Sequence, residues 1–109
     1  MKALLKFAIV IATTSSLAAL AAPPSPAVSP RVAEIIASRC ALCHGVEGES
    51  ASAVYPRLAA QHPDYLAKQL KDFRDGRRKS ETMADMAKGL PDEDIVGLAT
   101  YFSGKKAGS

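Results

Sequence analysis

The sequence predicts a small all-α domain of three main helices. Three observations carry that prediction. Apolar residues recur at helical spacing in three separate segments. Each segment opens on a proline-marked start: Ser29-Pro30, His62-Pro63-Asp64 and Leu90-Pro91-Asp92-Glu93. No stretch alternates convincingly in the manner of a strand.

The elements follow in chain order. MKALLKFAIVIATTSSLAALAAPPSP begins with Lys2 and Lys6, continues with a short apolar run and ends in small residues. That is the pattern of a secretory signal peptide, residues 1–21, with cleavage expected after Ala21 because Ala19 and Ala21 satisfy the small-x-small rule. Residues 22–29, rich in Pro, Ser and Ala, read as a flexible arm. The domain proper is 30–109. Its first helix covers about residues 30–41, with Ser29 as cap, Pro30 in the first turn and Val32, Ile35, Ile36 and Cys40 on one face. The second starts at Pro63, presents Tyr65, Leu66, Leu70 and Phe73, and stops at Gly76. A short turn of helix is expected around Ala84–Lys88. The last helix carries Ile95, Leu98, Ala99 and Phe102 and stops at Gly104; Tyr101 and Phe102 are expected to pack it against the first. About eighty residues are marginal for a self-sufficient core, so the domain calls for a staple.

Charge excludes one class of partner. The chain has a formal net charge of +3, and removing Lys2 and Lys6 with the signal peptide leaves twelve basic against eleven acidic side chains. A mature domain near neutrality, without a basic stripe interleaved with aromatics, is not a nucleic-acid binder. The cluster Arg74, Arg77, Arg78 and Lys79 reads as a solvated helix end, with a partner-docking patch as the alternative.

The chemistry lies in CALCHG, Cys40 to Gly45, which holds both cysteines and one of the two histidines. A thiol oxidoreductase also uses C-x-x-C, but within a strand–turn–helix context that is missing here. A zinc site would need four ligands and would consume Cys40, Cys43, His44 and His62 together. A disulfide across three residues would close a very small loop and stabilise little. C-x-x-C-H is also the attachment pattern for c-type haem. Two thiols three apart share a helix face and can reach one edge of a porphyrin, and the next residue turns its imidazole under the iron. An exported protein suits this chemistry, and a covalently held apolar ring supplies the staple. His62, Met83 and Met86 are the candidates for the iron's other face. His62 sits at a helix start, normally an exposed position. Met86 also reads as an apolar gap-filler.

The segments CALCHGVEGES, YPRLAAQHPDYLAKQLKDFRDGRR and TMADMAKGLPDEDIVGLATYF, in that order over residues 30–103, resemble the class I c-type cytochromes. The likeness is to single-domain cytochrome c-553 proteins and the domains of cytochrome c4. It implies a small class I cytochrome c fold, three main helices around one covalently bound haem c with its iron. Cys40 and Cys43 would be the thioether attachments and His44 the proximal ligand. Pro56 would offer its carbonyl to that imidazole. Met83, seven residues before Leu90, would be the distal ligand, with Met86 the weaker alternative. Arg57 and Gln61 would lie near a haem propionate. Pro91 departs from the serine that relatives often carry. The resemblance implies a periplasmic electron carrier rather than an enzyme, shuttling single electrons between redox protein partners and meeting membranes only through partner complexes. A cytochrome subunit fixed to a dehydrogenase or oxidase is the alternative. A gas-binding haem protein follows if Met83 leaves the iron open.

Overall fold

The computed structural model describes residues 3–6, 8–15 and 27–108. The expected cleavage after Ala21 lies outside the described residues. No helix among the described residues is long and apolar enough to cross a membrane, and none of them forms a strand.

Ser29 accepts a hydrogen bond on its Oγ from the Val32 amide at 3.2 Å and starts α1, Pro30–Ile35, with Pro30 in its first turn. A cap of this kind contributes about 1 kcal/mol. The helix does not stop near residue 41 as its apolar stripe predicts. It passes through a π-helical turn, Ile36–Cys40, and continues as α2, Ala41–His44, before Gly45 ends it. The wider turn, in which the Ala41 amide donates to the Ile36 carbonyl, inserts a residue and rotates everything after it relative to the Val32–Ile35–Ile36 stripe. One continuous rod thus buries α1 in the core and turns CALCH toward another surface.

A loop leads to α3, Pro63–Arg74; then come α4, Glu81–Ala87, and α5, Asp92–Ser103. The starts of α3 and α5 agree with the sequence. α4 begins earlier than expected, because Ser80 caps it by accepting from the Met83 amide at 3.2 Å. α5 packs along α3, α4 packs on α3, and α1 crosses α5. The crossing is close at Gly97: a Cβ there would lie 2.7 Å from Val32 Cγ2. Arg31 reaches over the crossing to the buried Asp94 at 2.6 Å.

Despite the short chain there is one contiguous apolar core, built from α1, α3, α5, Ile36 of the π-helical turn and the end of α4, with Ile95 and Leu98 most deeply buried. Phe102 belongs to it. Tyr101 packs against it too, but not by apolar contact alone: its hydroxyl donates to the Val46 carbonyl at 2.7 Å and secures the loop after His44. The cationic cluster after α3 is not simply solvated either. Arg74 donates to Asp75, Asp92 and the Leu90 carbonyl, and Arg77 to Asp72 and Asp75. Both fasten the end of α3, and Arg74 also ties it to the start of α5.

Candidate functional site

Leu66 and Phe73 of α3 and Leu98 and Ala99 of α5 turn part of their surface toward a cavity of about 420 Å³. Cys40, Cys43 and His44 form one wall. Met83 and Met86 line it from α4, and the loop residues Tyr55 to Leu58 close a further side. The volume lies within the range of small-molecule and cofactor sites.

His44 is 7 % exposed, and its Nδ1 lies 2.8 Å from the Pro56 carbonyl. A carbonyl only accepts, so Nδ1 carries a proton, and in the neutral ring that leaves the lone pair on Nε2. The ring is therefore fixed in the tautomer and orientation that a metal ligand needs. The loop is folded to deliver that carbonyl. The Gly48 carbonyl accepts from the Leu58 and Ala59 amides at 2.8 and 3.0 Å, which draws the segment carrying Pro56 under α2. Gly48 has φ +71°, and a Cβ there would lie 2.9 Å from both the Ala59 amide nitrogen and Phe102, so only glycine suits the position.

Cys40 and Cys43 are half-buried and not joined to each other. Burial pushes the Cys40 thiol up to about 11, against the opposing pull of Arg39. Met83 and Met86 are both half-buried and both line the cavity; Met83 also packs against the core. Arg57 and Gln61 line the cavity as well. His62 is exposed and stands outside it.

Among the lining residues that sequence reasoning did not place at the site are Arg39, Gln69, Arg78, Lys79 and Ser80. Arg78 lies over the Phe73 ring at 4.6 Å and donates to Gln69 at 2.6 Å. The Ser80-Glu81-Thr82-Met83 spacing is a start signal that could have placed Ser80. Arg39, Arg57, Arg78 and Lys79 all border the cavity, and no carboxylate among the described residues does. Apolar walls, two thiols on one edge, a lone-pair imidazole, a thioether source and an all-cationic rim form a donor set that fits an apolar iron macrocycle bearing carboxylates.

Residues 28–102 match the family model described as cytochrome c oxidase, cbb3-type, subunit III. The chain is 45 % identical over 64 residues to a cytochrome c4 of Thiocapsa roseopersicina, covering 59 % of this chain and 33 % of that protein, so it spans about a third of that relative's length. It is 36 % identical over 97 residues to the cytochrome subunit of sulfide dehydrogenase of Chlorobaculum tepidum, covering 86 % of this chain and 87 % of that one. Among solved structures it is similar to the cytochrome c4 of Acidithiobacillus ferrooxidans, with a TM-score of 0.57 and 34 % identity over 60 % of this chain and 37 % of that chain.

Proposed function

The chain belongs to the class I c-type cytochromes, and from that membership we propose that it carries single electrons in the periplasm with a haem bound at Cys40 and Cys43 and ligated by His44 and Met83. Electron transfer through covalently bound haem c is the property of the family, and when bound the haem supplies a one-electron Fe(III)/Fe(II) couple. What this chain's residues contribute follows from their chemistry. The two thiols would hold the ring through thioethers. The His44 imidazole, its Nδ1–H held by Pro56, would offer Nε2 to the iron. Met83 would supply a soft thioether, which favours the reduced state and raises the potential relative to two imidazoles. An iron ligated by both residues would suit electron transfer rather than substrate or gas binding. Arg57 and Gln61, which line the cavity, would meet the propionates, and the signal-peptide pattern of residues 1–21 supports the periplasmic reading.

The single observation that carries this reading is the His44–Pro56 hydrogen bond in a cavity whose further lining includes a thioether. The raised Cys40 thiol argues against a dithiol oxidoreductase, which needs a stabilised thiolate. The test is intact mass under denaturing conditions. Native holoprotein should retain one haem on the peptide containing Cys40 and Cys43, with no free thiol. Cys43→Ser should retain it through one thioether and in low yield. Haem released by denaturant, or two titratable thiols, would refute the assignment.

The similarity to a sulfide dehydrogenase cytochrome subunit favours a second reading, a subunit fixed to a dehydrogenase. The residue roles are the same in both. A free carrier meets its partners weakly and over a small area. Purification from the native host separates the two: a carrier elutes alone, and a subunit co-elutes with its partner.

A further inference from the structure

Arg39 precedes Cys40 in the π-helical turn. Its Nη1 donates to the carbonyls of Met86 and Lys88, each at 3.3 Å. Those two carbonyls sit at the carboxyl end of α4, where Lys88 is the capping residue. A helix leaves its last carbonyls unpaired and carries partial negative charge there. A guanidinium, always charged and carrying several donors, answers both needs at once. The bonds join segments 47 and 49 residues apart. They also join two parts of the cavity lining: the one that carries Cys40, Cys43 and His44, and the one that carries Met83 and Met86.

α4 needs such a tie. It has seven residues, too few to be stable alone, and it packs chiefly on α3. Ser80 secures its start. Arg39 secures its end, and it does so from the same rod that presents the proximal histidine. Backbone carbonyls are the acceptors, so the tie does not depend on the side chains at 86 and 88.

We propose that Arg39 is a positioning residue: it latches the carboxyl end of α4 to the CALCH rod and so holds the Met83-bearing helix over the cavity. The consequence for Met83 rests on its reading as distal ligand; the latch on α4 does not. Without the latch, α4 opens locally while α1, α3 and α5 remain packed, and an iron ligated by Met83 would lose that thioether more often. The state of α4 would thereby govern access to the Met83 side of the cavity.

The test compares native holoprotein with Arg39→Gln and Arg39→Lys by amide hydrogen exchange, together with the near-infrared sulfur-to-iron band and carbon monoxide binding to reduced protein. Loss of a charged donor predicts exchange about tenfold faster across residues 81–88 in Arg39→Gln, with α5 amides unchanged. Arg39→Lys should fall between, because one ammonium still donates. The band should then be lost at a lower temperature than the helical signal, and carbon monoxide should bind faster. Unchanged exchange in α4 overturns the latch. So does equal acceleration in α4 and α5, which marks general destabilisation. If Arg39→Gln yields no holoprotein, Arg39→Lys decides alone: faster α4 exchange supports the latch and native exchange overturns it. If native protein lacks the band, Met83 is not the ligand, and the exchange data still decide the latch.

Discussion

His44 illustrates how one hydrogen bond sets a residue's chemistry. Donation from Nδ1 to the Pro56 carbonyl chooses the tautomer, fixes the ring plane and makes Nε2 a better donor. The two methionines share a helix and a cavity but differ in surroundings. Met83 takes its place from the Ser80 cap on its own amide and packs on the core. Met86, also half-buried, lines the cavity. Met86→Ala should cost about 1–2 kcal/mol, less than truncating a fully buried methionine. Denaturant unfolding of holoprotein checks this, and the oxidised spectrum should not change. The motif residues were legible in the sequence because haem attachment needs its groups at fixed local spacing. Arg74, Arg77 and Arg78 were not. Their partners include Asp72, Asp92 and Phe73, and contacts with such residues depend on how α3 ends and meets α5.

At the scale of the helices, caps and prolines placed α1, α3 and α5 from sequence, since each start signal acts within one turn. The π-helical turn and the run through to His44 left no such signal, because a register shift inside a helix is settled by what each side of the rod packs against. α4 was placed late because its weak apolar stripe says less than its cap. The joint between α3 and α5 carries a pH signature. Asp72 is held below the usual carboxylate value by hydrogen bonds from Lys68 and Arg77, Asp75 by Arg74, and Asp92 by Arg74 with Lys71 nearby. A carboxylate depressed in the folded state stabilises it above the unfolded value of 3.8 and ceases to do so as pH falls through the folded value. Melting temperature should therefore be flat from neutrality to about pH 5 and decline below about pH 4. In Arg74→Gln, the acid decline should be shallower and start from a lower plateau. An unchanged acid limb in that variant would show that these pairs do not govern it.

The whole molecule is a small apolar core wrapped on one side of a cavity of about 420 Å³. A ring bound in a cavity of that size would add dispersion contacts to its lining and stabilise the folded state over the unfolded one. Apoprotein should lack a cooperative thermal transition by circular dichroism, whereas holoprotein should melt sharply; a cooperative, fully helical apoprotein would show that the core suffices. The existence of a core was underestimated from length alone, because α1 and α5 approach closely at Gly97, a contact between residues 65 apart in the chain that only the fold reveals. The family resemblance covered nearly the whole domain and anticipated the fold. The decisive measurement is the near-infrared spectrum of the oxidised holoprotein in native, Met83→Ala and Met86→Ala forms. Ligation by His44 and Met83 predicts a weak sulfur-to-iron band in native protein and in Met86→Ala. It predicts loss of that band in Met83→Ala, with a lowered potential and carbon monoxide binding on reduction. A band that survives in Met83→Ala and vanishes in Met86→Ala, or is missing from native protein, would contradict it.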